Sequence, residues 1–309
     1  MVARVSTVGS YSAVLANLLN AQARLSDAGD KVATKKNGSD LKSYSKNAEM
    51  LTAMRSVQTR MGVYTEQNKM IADKLTTQDT ALTSMVDAAA ASRQAIADAL
   101  AAGRADTLME ELGAQMRNAV EGMNARYGGK YLFAGGQVDT KPVTASRMAD
   151  LTSGPPLASF FKNDSFQTQA KVDDSTTITT GMLANDVGQP MLAGLQAIQV
   201  FQEGPDGPFN GVLTDNQRIF LENQLAGWDT IRSDLTIKTA RNGLLQQRVD
   251  TVKKDLTTRS ITLDSMVGEI TDADMARAAT DLEAAQMSVQ ATAQVFLTLQ
   301  NTSLLNILK

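Results

Sequence analysis

The run MARAATDLEAAQMSVQATAQVFLTLQ, Met275 to Gln300, decides the fold class. Within it Met275, Ala278, Leu282, Ala285, Val289, Phe296 and Leu299 fall three, four or seven residues apart, a spacing that gathers apolar side chains on one side of a helix. Such a seam is stable only when another helix covers it. The other end of the chain keeps the same period through Tyr11, Val14, Leu18, Ala21, Leu25, Ala28 and Val32. Each end therefore needs a partner; the opposite end is the nearest candidate and a second copy of the chain the next.

Between the ends the same period returns twice. From Met54 through Val57, Met61, Tyr64, Asn68, Ile71, Leu75, Gln78, Leu82, Met85, Ala89, Ser92 and Ile96 to Ala99 it predicts one helix of roughly 50 residues, on the order of 75 Å at 1.5 Å per residue. A second long helix starts near Thr214 and carries Leu221, Trp228, Ile231, Leu235, Leu245, Val249, Val252, Leu256, Leu263 and Met266, interrupted by Lys238 and Asn242. Polar residues at seam positions can fix register at some cost in stability, and Asn68, Gln78 and Asn242 are candidates for that role. The first helix, about Ser10 to Ala33, ends at the turn residues Asn37, Gly38, Ser39 and Asp40, and Gly268 is expected to break the second long helix before TDADM starts the last one.

The middle reads differently. Gly103 marks a turn, and Leu108, Leu112, Met116, Val120 and Met123 share one face of a helix that doubles back. GGKYLFAGG, Gly128 to Gly136, reads as a strand with glycines at both ends, AKVDDSTTITTG as a hairpin turning at Asp173 and Asp174, and Pro190 to Gln202 as a helix on that hairpin. The order of parts is palindromic: end helix, joint, long helix, insertion, long helix, joint, end helix. The fold class is mainly α, a long antiparallel helical rod of paired terminal helices and coiled-coil-like core helices with a small inserted α+β region. It divides into paired terminal helices (1–36 and 270–309), a helical rod (37–136 and 212–269) and an outer insertion (137–211), with the inserted sheet at the end remote from the termini.

Composition narrows the function. The chain has 309 residues, 43% hydrophobic and 20% charged, with 6 Pro and 5% aromatic residues, a balance that favours long helices with a packed core. Without Cys or His, the commonest nucleophile and base types and the usual zinc and copper ligands are missing, which argues against an enzyme and against a metal or other cofactor. A net charge of -3 and no basic stripe give no pull toward nucleic acid. No stretch approaches the roughly 20 apolar residues of a membrane span, and the first residues do not read as a cleaved secretory signal. TDAD, Thr271 to Asp274, reads as a helix cap made by Thr271 or Asp272 rather than a cation site, because the glycine and distal Glu of a calcium loop are absent.

The seams then supply the candidate functional residues. Tyr11, Val14, Leu18, Leu25, Leu282, Val289, Phe296 and Leu299 form the stripe that the two ends share, while Leu15, Leu19, Leu304, Leu305, Ile307 and Leu308 lie partly off it and ask for a further partner. Left in water, each large residue forgoes roughly 1.5 to 3 kcal/mol of burial. The ends are therefore expected to order among neighbouring subunits, since isolated helices of this length are marginal. The candidate rod core is Met54, Val57, Met61, Ile71, Leu75, Leu82, Met85, Trp228, Leu235, Leu245, Val249, Val252 and Leu256.

The layout, GGKYLFAGG, VDDSTTITTGMLAND and the run ITDADMARAATDLEAAQMSVQATAQVFLTLQNTSLLNIL together resemble the bacterial flagellin family over nearly the whole chain, most closely in the form of its hook-filament junction members. The resemblance implies a structural subunit of the bacterial flagellum, joining hook to filament, with filament flagellin as the alternative and a cytosolic helical scaffold as the alternative of another class. It further implies an extracellular place in the flagellum, export without a cleaved signal, and partners that are copies of the chain, neighbouring axial proteins (hook-associated proteins and flagellin) and an export chaperone on the C-terminal helix. One departure is KKNGSDLKSYS at the first joint, where the family usually carries a Pro and paired Asp.

Overall fold

The computed structural model describes residues 2–305, and side chains within residues 12–299. The elements in order are α1 (Val2–Thr34), α2 (Ala48–Ala102), α3 (Leu108–Met123), β1 (Arg126–Tyr127), β2 (Lys130–Tyr131), β3 (Gln169–Lys171), β4 (Thr177–Thr179), α4 (Ala184–Glu203), α5 (Asp215–Thr271) and α6 (Met275–Leu305), with short 3-10 turns at Leu41–Tyr44, Met148–Leu151 and Leu157–Phe160. The fold is mainly α, with long antiparallel helices and a small α+β insertion. The chain forms two compact units, Met1–Met61 with Thr258–Lys309 and Gly62–Thr257, to both of which α2 and α5 contribute.

In the first unit α1 and α6 run antiparallel. An antiparallel bridge joins Lys36 to Asp272; the Asn37 N–H donates to the Thr271 carbonyl at 2.8 Å and the Ala273 N–H to that of Lys35 at 2.9 Å. The chain leaves α1 through Lys35, whose φ of 58° is left-handed. Asp40 then caps the following 3-10 turn, accepting from the Ser43 N–H at 2.9 Å and the Ser43 hydroxyl at 2.8 Å. The Tyr44 hydroxyl accepts from the Gly38 N–H at 2.9 Å, and its one proton has the Gly38 carbonyl at 2.9 Å and the Thr271 carbonyl at 3.2 Å to choose between.

Three expectations change in this unit. Gly268 does not break α5: the Asp272 N–H still donates to its carbonyl at 2.7 Å. A glycine inside a helix costs about 1 kcal/mol, less than helix packing returns, and its missing Cβ leaves room for the Asp272 carboxylate, 3.0 Å from where that Cβ would stand. The cap of α6 is Asp274, which accepts from the N–H groups of Ala276 (3.0 Å) and Arg277 (3.2 Å), not Thr271 or Asp272. Met266, expected on the seam, is 45% exposed, because a straight helix drifts by about 20° per heptad from a 3.5-residue repeat.

In the second unit, residues of α2 and α5 pack antiparallel, as the ion pair Arg93–Asp229 (2.7 Å) and the Asn242 amide's bond to the Leu75 carbonyl (2.9 Å) show. α3 folds back along α2, and α4 adds Val187, Met191, Leu192, Leu195 and Ile198 to a core shared with Leu82, Met85, Ile96, Leu112, Met116, Phe133 and Trp228. The seam residues Asn68, Gln78, Ser92 and Asn242 are fully buried. Helix α4 begins at Ala184, six residues ahead of the expected start at Pro190, and packs into this core rather than on the hairpin β3–β4. The strand expected in GGKYLFAGG is instead the second arm of a hairpin: β1 and β2 pair antiparallel across Gly128 and Gly129, whose φ values of 56° and 80° make the two-residue turn.

The hairpin β3–β4 turns at Asp173 and Asp174 as its sequence implies, but its place differs from expectation. Asn68 donates to the Val172 carbonyl at 2.8 Å, the Tyr64 hydroxyl meets Asp174 at 3.1 Å, and Val172 is buried with Ile71, Leu75 and Val249. The hairpin thus lies against α2 at residues 64–75, roughly 50 Å along the helix from its end at Ala102.

Candidate assembly surface

The terminal pair is built on alanine. Ala21 and Ala28 of α1 and Ala278 and Ala285 of α6 are 4%, 5%, 4% and 7% exposed, so small side chains hold the two backbones close together. The larger residues of the same seams, Val14, Leu18 and Leu25 on one helix and Leu282, Val289, Phe296 and Leu299 on the other, are only half-buried. Two helices cover the centre of each stripe and leave its flanks wet. Off the stripe, Leu15 and Leu19 stand 41% and 58% exposed, as their position in the heptad implies. The side chains of Tyr11, Leu304 and Leu305, and the whole of Ile307 and Leu308, lie outside the described residues.

Sequence periodicity missed Met287, Val295 and Leu297, which are 63%, 50% and 55% exposed on α6. The signal that could have found them is charge. Residues 5–23 and 284–308 contain no Asp, Glu, Lys or Arg at all. A solvated helix face ordinarily carries charges, and one that carries none while presenting Leu, Met and Val is suited to burial against protein. Apart from Arg4 near the start of α1, the charges of the two helices lie toward the joint: Lys31 pairs with Asp27 at 2.7 Å, and a groove of about 320 Å³ there is lined by Arg24, Asp27 and Lys31 with Asp281.

At the joint, the Lys36 ammonium donates to the Asp272 carboxylate. That bond, with a further one from the Thr271 hydroxyl, holds the Asp272 carboxyl below the usual Asp range. Asp40 is lowered likewise by the Ser43 N–H it caps. Asp272 and Asp274 therefore serve an ion pair and a helix cap, and among the described residues no group of three acidic side chains could hold a metal. None of the described helices is long and apolar enough to cross a membrane.

Of the residues expected in the core of the long helices, Ile71, Leu75, Leu82, Met85, Trp228, Leu235, Val249 and Leu256 are buried. Met54, Val57, Met61, Leu245 and Val252 are half-buried. Met54, Val57 and Met61 belong to the first unit, where Leu51 is the fully buried residue of α2.

Comparison with known proteins matches these features to one family. The model of the bacterial flagellin N-terminal helical region covers residues 5–138, and that of the C-terminal helical region covers residues 225–308, together well over half of the chain. No curated protein sequence matches significantly. Two of the solved structures that share the fold illustrate the likeness. One, from Vibrio parahaemolyticus and assigned to the flagellar hook-associated proteins, is 15% identical with a TM-score of 0.59 over 72% of this chain and 97% of its own. The other, FlgL from Bacillus cereus, is 13% identical with a TM-score of 0.53 over 71% of this chain and 99% of its own. With paired terminal helices at both ends of the sequence and both helical regions matched in order, the chain belongs to the bacterial flagellin family.

Proposed function

We propose that the chain is a structural subunit of the bacterial flagellum that joins hook to filament, assembling through α1 and α6. The observation that carries this reading is the half-covered pair of terminal helices, charge-free over residues 5–23 and 284–308: a surface of that kind is suited to neighbours rather than to water. The partners are copies of the chain and adjoining axial proteins, and Tyr11, Val14, Leu18, Leu25, Leu282, Val289, Phe296, Leu299, Leu304, Leu305, Ile307 and Leu308 supply the contact. Before assembly, an export chaperone on α6 would cover the face bearing Met287, Val295 and Leu297. The role is structural, without catalysis or cofactor, and its place is outside the cell. The paired ends, the long helices and residues 137–211 take the inner, middle and outer parts of the assembled structure.

Deletion of the gene tests the reading. Cells bearing hooks without attached filaments are expected by electron microscopy, and normal filaments on the deletion strain would overturn it. Filament flagellin is the second reading, favoured by the match to both flagellin helical regions. Growth of long filaments from the purified chain alone would support flagellin over the junction.

A further inference from the structure

The chain contains three Asn–Gly pairs, Asn37–Gly38, Asn210–Gly211 and Asn242–Gly243. In such a pair the glycine backbone nitrogen can attack the asparagine side-chain carbonyl carbon, because glycine has no Cβ to hinder closure of the succinimide ring. The attack needs an asparagine side chain free to turn, a glycine N–H that can give up its proton, and room for the ring. The fold decides which pairs meet these conditions.

Two of the pairs are locked. The Gly38 N–H donates to the Tyr44 hydroxyl at 2.9 Å, and the Asn37 amide donates to the Asp272 carbonyl at 2.8 Å. Asn242 is fully buried inside α5, where its amide donates to the Leu75 carbonyl at 2.9 Å and the Gly243 N–H is committed to the helix ladder. The third pair is open. Asn210 is exposed, and its side chain makes no hydrogen bond among the described residues. Gly211 has a φ of 71°, and nothing stands within 4 Å of where its Cβ would be.

The loop is anchored on the other side of this bond. The Ala105 N–H donates to the Gly211 carbonyl at 2.9 Å and the Leu213 N–H to the Gly103 carbonyl at 2.9 Å, and neither contact uses the Gly211 N–H. That N–H donates instead toward the Asp106 carboxylate, to which the Arg104 guanidinium donates at 2.8 and 3.3 Å. Pairing with Arg104 holds the Asp106 carboxyl below the usual Asp range, so at neutral pH it is ionised and able to accept a proton.

We infer that Asn210 is a site of spontaneous modification, converted to aspartate and isoaspartate through a succinimide shared with Gly211. The Gly211 nitrogen bonds to Asn210 Cγ, its proton passes by way of Asp106 to the departing amide nitrogen, and the Cγ–Nδ2 bond breaks to release ammonia. Water then opens the ring at either carbonyl, so that one water is consumed and one ammonia released without an oxidant or a reductant. Both products place a new negative charge in the loop beside Asp106. The isoaspartyl product also carries the main chain through the side-chain methylene of residue 210, lengthening the segment that Ala105 holds.

Peptide mapping by mass spectrometry of the full folded chain, aged in neutral buffer, tests it. The Asn210 peptide is expected to gain the mass difference between an amide and an acid and to split into two chromatographic forms, about tenfold or more faster than the Asn37 and Asn242 peptides, whose hydrogen bonds must first be released. In urea the three rates are expected to converge. Asp106→Asn is expected to slow conversion in the folded chain and to leave the rate in urea unchanged; an unchanged or faster folded rate overturns Asp106 as the proton acceptor. Asn210 retained as the amide, or converting no faster than Asn37 and Asn242 in the folded chain, overturns the inference. A preference for Asn210 that persists undiminished in urea overturns selection by the fold.

Discussion

The second unit and the terminal pair use the same heptad grammar and end in opposite conditions. In the second unit the seams of α2 and α5 are closed by α3, α4 and the hairpin β3–β4, so Leu75, Leu82, Met85, Trp228 and Val249 are fully or almost fully buried. At the termini only two helices meet; alanine is buried, and every larger described seam residue stays half-wet. Two helices cannot enclose a core; they can enclose a line. The difference teaches that two helices alone leave the flanks of the terminal seams exposed, and on the proposed reading other chains supply the missing layers.

The largest expected effect follows from breaking the closed side. Trp228→Ala removes the largest side chain of a sealed core and is expected to cost about 3 to 5 kcal/mol, read by urea unfolding of the monomer. Asn68→Ala leaves the buried Val172 carbonyl without its donor, with an expected cost of about 1 to 3 kcal/mol and faster hydrogen exchange of β3–β4. On the open side, Met287→Glu is expected to change monomer stability by no more than about 0.5 kcal/mol, yet to block assembly in a sedimentation assay. A large loss of monomer stability there would mean that Met287 is already covered, and would erase the contrast.

The smallest effect concerns the joint. The folded Asp272 carboxyl sits below its ordinary value because Lys36 and Thr271 donate to it. A group lowered on folding adds stability that is complete above the unfolded value of about 3.9 and is lost as pH falls through the folded one. Amide protection factors at residues 35–38 and 271–273, exchange corrected for the intrinsic rate at each pH, are therefore expected to fall below about pH 4 in the wild type. In Asp272→Asn the protection is expected to be low already at neutral pH and to change less with pH.

How far the sequence spoke depends on how local the cause is. The seams of α1, α2, α5 and α6 were legible because a single helix face repeats them, and Asn68 and Asn242 were legible as polar members of those rows. The seat of β3–β4 was not, because it depends on one side chain meeting a backbone carbonyl 104 residues away. The turn at Gly128 and Gly129 was obscured by reading glycines as strand ends when both adopt positive φ inside a hairpin. The α6 face of Met287, Val295 and Leu297 was readable in principle, since the absence of charge from 284 to 308 is a fact of sequence. Periodicity points only to the seam that repeats most strongly, and that seam faced α1.

Hydrogen–deuterium exchange of the dilute chain against the assembled one tests the central claim most directly. Amides of residues 5–23 and 284–305 are expected to exchange far faster in the monomer than the core amides around Leu82 and Trp228, and to become protected on assembly. Terminal helices already as protected in the monomer as that core, with no gain on assembly, would contradict the account.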